Sequence, residues 1–243
     1  AGKFSLNPSM TTFEIAHALT SATADHISLT ILEGWRREEA AQAISSKLAE
    51  YDVTFDPDIF LSLPQTQEGF LFPDTYFVTE TIDEQSLATT IEANFNQQLS
   101  SIQTLIDQSP YTLDQILTMA SIIEREARDD RAIVSGILWK RLENDWPLQA
   151  DATLQYIKSY DNTKQSWWPT PLAIDKELES PYNTYQNLGL PPAPICNPSL
   201  DSIKSAAAPQ ESDYWFYITD NQGYMRYAKD YSQHQSNINQ YLR

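Results

Sequence analysis

Two glutamates, Glu124 and Glu126, close a segment from Thr112 to Arg128 (TLDQILTMASIIEREAR) whose apolar spacing is that of an amphipathic helix. With Leu113 at zero and about 100° per residue, Ile116, Leu117, Ala120, Ile123 and Ala127 fall on one stripe. Glu124 comes eleven residues after Leu113, close to three whole turns, and so points into that stripe. Glu126, two residues on, points to the opposite face and is expected in solvent. A carboxyl held against apolar surface is costly to ionise, keeps its proton more readily, and can serve as a general acid. The plainer alternative is a buried glutamate paired with an arginine such as Arg131 or Arg141. The helix by itself leaves both readings open.

The rest of the chain carries further blocks in a fixed order. ILEGW at 31–35 is followed by EGFLFPDTY at 68–76, then SIIERE, PLQADAT at 147–153, SPYNTY at 180–185 and GLPPAPICNPSLDSIKSA at 189–206. This set resembles the YceG-like endolytic murein transglycosylases (the MltG type) over nearly the whole chain. The resemblance implies an enzyme that cuts the bond between N-acetylmuramic acid and N-acetylglucosamine within peptidoglycan strands and leaves 1,6-anhydro ends, without cofactor. It assigns the essential acid to the first glutamate of the ASIIERE block, Glu124. That carboxyl would protonate the glycosidic oxygen, and its conjugate base would take the proton of the sugar's C6 hydroxyl. The resemblance also implies a single-pass protein of the cell membrane, with this region facing the periplasm or the exterior. The anchor, and part of a LysM-like module next to it, would lie outside this sequence. Termination of nascent strands alongside peptidoglycan synthases and the elongation machinery is implied as well. Two rivals stand beside this reading. One is a glycoside hydrolase with a second carboxylate, and the other a non-catalytic glycan-binding scaffold of the wall-synthesis complex. The chain departs from the family pattern at Ala193 and Ser199, where glycines are usual, and at Met225 and Arg226, near a usual histidine.

Several other groups are suited to a sugar ligand. Gln149, Asp151 and Thr153 alternate along PLQADAT, so in an extended stretch all three project to one side. Asp151 could equally cap a short helix, ATLQYI, and it is the candidate second carboxylate of a hydrolase. SPYNTY sets Tyr182, Asn183 and Tyr185 in a loop, where tyrosine faces could stack on sugar rings and an amide could hold an N-acetyl group. Glu68 and Asp74 could line the same cleft or satisfy buried backbone donors. Adjacent Trp167 and Trp168 point in different directions, as a stacking platform or as core. His17, His26 and His234 show no ligand spacing, so no metal site is expected, and there is no phosphate loop or dinucleotide fingerprint.

These groups need elements to position them. A short strand at 3–6, a helix in SMTTFEIAHAL and a strand in HISLTIL are expected first, followed by a helix over GWRREEAAQAISSKLAEY whose RREE start reads as a solvated face. A Pro-bounded turn, PDIFLSLP, leads to EGFLFPDTY and a helix from about 83 to 106. Thr112 and Gln115 form a capping box at the start of the glutamate helix. A further helix spans 130–144, and the proline- and aromatic-rich stretch 145–199 reads as a shaped surface. A hairpin turning at Gln222-Gly223 and a helix from Tyr231 end the chain. The class is α+β, a helical catalytic core with small β-sheets. With the resemblance, residues 1–32 are the partial membrane-proximal module and 33–243 the transglycosylase domain.

Bulk properties narrow the partners. The 243 residues carry a formal net charge of −17, which argues against nucleic acid and against anionic membrane surfaces. The single cysteine, Cys196, forms no internal disulfide and reads as a structural loop residue. No run of about 18 apolar residues is present to span a bilayer.

Overall fold

In a computed structural model the described residues are 10–13, 15, 16 and 26–242. The expected strand at 3–6 lies outside them; of the helix expected in SMTTFEIAHAL, the described residues 12, 13, 15 and 16 are helical and 10 and 11 are not.

Alternation in HISLTIL sends Ile27, Leu29 and Ile31 inward, each with at most 2% exposure. The strand they form, β1 (Ile27–Thr30), pairs antiparallel with β2 (Thr75–Val78), with Ile27 opposite Val78 and Thr30 opposite Thr75. Helix α1 (Arg37–Ala49) buries Ala40, Ala41, Ile44 and Leu48 in the same cluster. PDIFLSLP is not a turn but a short helix, α2 (Pro57–Ser62): Asp56 accepts the N–H groups of Asp58 and Ile59, and Pro57 sits at the first helical position. Helix α3 (Glu84–Ser101) adds Leu87 and Ile91 to this cluster. The expected division after residue 32 therefore cuts through one packed unit, because β1 belongs with β2 and α1 to α3. The helix expected over 83–106 breaks at Ile102, whose φ/ψ of −121°/15° leaves the helical region, and resumes as α4 (Gln103–Gln108).

A second core is built around α5 (Leu113–Glu126), which starts at the expected Thr112–Gln115 capping box. Every residue from Ile116 to Ile123 is buried, so this helix is covered on all sides. Helix α6 (Arg131–Glu143) contributes Val134, Leu138 and Trp139 to the core. Gly136 of α6 has no space for a side chain, since a Cβ there would collide with the Gln210 carbonyl. Helices α7 (Asp151–Lys158) and α8 (Leu200–Ala207) flank α5. The C-terminal hairpin forms as expected, β3 (Phe216–Thr219) against β4 (Met225–Ala228), and α9 (Tyr231–Tyr241) packs on it. Helices dominate and the two sheets are small and antiparallel, an α+β arrangement.

Candidate active site

Both glutamates sit in the last turn of α5, and their surroundings differ sharply. Glu124 Oε2 accepts the Ser199 N–H at 2.9 Å, the Ser199 hydroxyl at 2.5 Å and the Ser202 hydroxyl at 2.7 Å. Its other oxygen accepts from Arg131 Nη2 at 3.1 Å, and the side chain is 6% exposed. Ser199 is the N-cap of α8, so Glu124 clasps the start of that helix and its charge complements the helix dipole. The apolar setting expected for Glu124 is not what its carboxylate meets. The helical stripe is apolar along α5, but the stripe's far end runs into a helix terminus and an arginine. Burial, and next the nearby charge of Glu124, push the carboxyl of Glu33 up.

Glu126 is not in solvent. Its oxygens accept the Ala152 N–H at 3.1 Å and the Tyr217 hydroxyl at 3.2 Å. Burial is the main cause of a raised Glu126 pKa; the Ala152 N–H opposes it, the Asp151 charge adds to it, and the Tyr217 hydroxyl and Arg141 oppose it. The helical wheel correctly separates the two glutamates. It fails on solvent because α5 has no outer face, and the side opposite the stripe opens onto an internal cleft. That cleft, about 790 Å³, is lined by Glu126, Gln149, Asp151, Tyr185, Tyr217 and His234 among others, and Glu124 is not part of its wall.

The groups around Glu126 come from four elements. Asp151 is the first residue of α7; its side chain does not cap that helix but accepts the Tyr185 hydroxyl at 2.6 Å. Burial, then this bond to Asp151, push the Tyr185 phenol up. Arg141 of α6 is buried, and its donors are committed to the carbonyls of Leu148 at 2.6 Å and Trp215 at 2.7 and 3.0 Å. Gln149 takes a left-handed conformation, φ 53°, and its N–H bonds to the Thr184 carbonyl. That residue interrupts the extended alternation expected for PLQADAT.

Gln149, Asp151 and Tyr185 therefore share the cleft with Glu126, whereas the other expected ligand groups lie elsewhere. Thr153 is fully buried, its hydroxyl bonded to the Ala150 carbonyl at 2.7 Å and paired with Thr184 at 3.0 Å. Asn183 is also fully buried; its amide donates to the carbonyls of Lys176 and Leu178, and its oxygen accepts the Tyr185 N–H at 3.0 Å. It seats Tyr185 instead of facing a ligand. Tyr182 packs on Tyr156 with ring centroids 4.9 Å apart. Glu68 accepts the Arg37 N–H at 2.9 Å and lines a separate cavity of about 240 Å³ with Pro192 and Pro194. Burial pushes its carboxyl far above the ordinary range. Asp74 bonds Asn94 and the Thr75 N–H. Trp168 lies under the Arg125 guanidinium at 3.9 Å and donates to Glu39. The RREE start is not a solvated face: Arg36 is 6% exposed and donates to the Tyr156 carbonyl. Among the described residues no group of histidines, cysteines and carboxylates could hold a metal.

Sequence reasoning missed the cleft roles of Glu126, Tyr217 and Arg141. One signal was available for the first. ILTMASII carries no charge, and its only polar residues are the small Thr118 and Ser121, which marks a helix buried all round and removes the solvent face assigned to Glu126. Nothing local pointed to Tyr217.

The site thus combines an enclosed carboxyl with a cleft walled by amide, phenol and carboxylate groups on an α+β frame, the components that acid–base chemistry requires. The chain belongs to the YceG-like family, whose profile matches residues 1–240. It is 28% identical to the endolytic murein transglycosylase of Streptococcus pneumoniae strain R6, over all of this chain and 50% of that protein. It is 29% identical to the endolytic murein transglycosylase of Bacillus subtilis strain 168, over all of this chain and 73% of that protein. The chain thus spans about half the length of its pneumococcal relatives. A crystal structure titled as a putative yceG-like protein from Listeria monocytogenes is similar to it with a TM-score of 0.72 and 27% identity, covering 97% of this chain and 84% of that one.

Proposed function

We propose that this chain is the catalytic region of an endolytic murein transglycosylase, with Glu126 as its acid and then its base. The observation that carries this reading is the setting of Glu126, enclosed by protein yet open to a cleft of a size that takes a sugar ligand. The names of the relatives supply the substrate class. The Glu126 carboxyl gives its proton to the glycosidic oxygen as the C1–O bond breaks. The C6 hydroxyl of the same muramic acid closes on C1, and its proton passes to the Glu126 carboxylate. No water is consumed, and the acid is regenerated. The Tyr217 hydroxyl and the Ala152 N–H orient the carboxyl in both states. Glu124, the acid assigned by resemblance, is absent from the cleft wall; Ser199 and Ser202 at the start of α8 hold one of its oxygens and Arg131 of α6 the other, which favours a structural role for it.

Strand termination, work beside peptidoglycan synthases and an extracytoplasmic position belong to the same proposal. No helix among the described residues is long and apolar enough to cross a membrane. The presence of Asp151 in the cleft keeps one second reading in play, hydrolysis by two carboxylates.

Mass analysis of purified glycan strands after incubation separates these readings. Wild type is expected to yield anhydro ends and Glu126→Gln none. Products one water heavier would favour the hydrolase. Binding without any cleavage by wild type would favour a scaffold, and full activity of Glu126→Gln would remove it from the acid role.

A further inference from the structure

Two carboxyls face this cleft, and one of them has no part in the chemistry above. Asp151 and Glu126 are the only acids among the described residues lining it. They converge on one helix start: Asp151 is the first residue of α7, and the next N–H along, that of Ala152, reaches Glu126 at 3.1 Å. The charge of Asp151 adds to burial in making Glu126 costly to ionise. Asp151 is exposed, whereas Glu126 is enclosed.

The other groups facing Glu126 work against an acid. A helix N-terminus favours a carboxylate, as do the Ala152 N–H and the Tyr217 hydroxyl from β3. Arg141 of α6 adds positive charge, moderated because its donors are held by backbone carbonyls. Lys176 lies 4.6 Å over the Tyr185 ring at the cleft wall. His234 of α9 stacks on Phe216, with burial holding its imidazole below its ordinary pKa. Asp151 is therefore the one negative charge in the cleft that counters them.

We infer that Asp151 is a positioning residue that holds the reactive proton on Glu126 through its charge, without touching the reacting atoms. Its place is built: Tyr185 donates to it at 2.6 Å, and buried Asn183 fixes Tyr185 through the backbone N–H. This gives the SPYNTY loop a task two steps removed from the substrate. The inference rests on Glu126 being the acid.

The test is the pH profile of kcat/KM for wild type, Asp151→Asn and Asp151→Glu, with Glu126→Gln measured beside them. Asparagine keeps the shape and can still accept from Tyr185 but lacks the charge. Its ratio of activity to wild type should fall about threefold or more from the acidic plateau to the basic limb, because the limb moves to lower pH. Asp151→Glu should return the limb toward the wild-type position. A uniform loss at every pH in Asp151→Asn, with the limb in place, would overturn the inference and leave Glu126 as the acid. Abolished cleavage at every pH would overturn it in favour of a second reacting carboxylate. If Glu126→Gln stays active, the underlying assignment fails instead, so the two failures are distinguishable.

Discussion

Replacing Glu124 by glutamine should damage the fold more than the chemistry, the reverse of what an acid catalyst shows. The substitution keeps the volume of a side chain that is 6% exposed and removes its charge from a clasp of four donors. If the amide oxygen turns to Ser199 and Ser202, its NH₂ faces Arg131, donor against donor. Loss of a charge-assisted contact of this kind costs about 1.5–3 kcal/mol. Loss of the charge–dipole interaction at the α8 N-terminus adds about 0.3–1 kcal/mol. Arg131 is 23% exposed, so water recovers part of its solvation and the total should fall below the ~3–5 kcal/mol of a fully buried broken pair. About 2–3 kcal/mol is the working value, which for a chain of this size lowers the melting temperature by about 4–12 °C. Thermal unfolding by circular dichroism reads the first effect, and cleavage rates well below the transition read the second. Glu124→Gln should keep cleavage within about tenfold of wild type, while Glu126→Gln should lose roughly 10²-fold or more without comparable destabilisation. A Glu124→Gln protein that melts like wild type and cleaves nothing would refute this division of labour.

Glu68 gives a pH-dependent stability. Its folded pKa lies well above the ordinary value, so as pH rises above that ordinary value the unfolded chain releases a proton the folded chain retains, and stability falls until the folded value is passed. Glu68→Gln should flatten this slope and be at least as stable as wild type at neutral pH, measured by urea midpoints across pH. Cys196 is fully buried, with its thiol bonded to the Ser121 carbonyl and pushed up by burial. A thiol reagent should label it at least about tenfold more slowly in the native protein than in denaturant, and equal rates would show the site to be open. Gly136→Ala should destabilise by about 1–3 kcal/mol in chemical denaturation, despite alanine's better helix propensity, because the Gln210 carbonyl must move. A stabilised variant would contradict the close approach.

Local chemistry was legible wherever a few neighbouring residues decide the outcome. The Thr112–Gln115 box, the hairpin at Gln222-Gly223 and the alternating strand in HISLTIL each need only short-range geometry, and each is found. Cys196 likewise sits buried in a loop. Where one local signal competed with another, the reading slipped. PDIFLSLP carried prolines that suggested a turn, yet Asp56 and Pro57 together make a helix start. PLQADAT looked like alternation until Gln149 turned left-handed.

For the two glutamates, the sequence determined the angle between them, because helical periodicity sets how side chains fan around one axis. It could not determine what covers each side. The Glu124 clasp comes from Ser199, 75 residues on, and the Glu126 contacts come from Ala152 and Tyr217, 26 and 91 residues on. Periodicity carries no information about such partners, since they meet only when separate elements pack. A carboxyl's readiness to give a proton depends on that packing, through burial and neighbouring charge. The sequence thus placed an acid at the end of this helix, and the tertiary structure alone decided which glutamate faces the cleft.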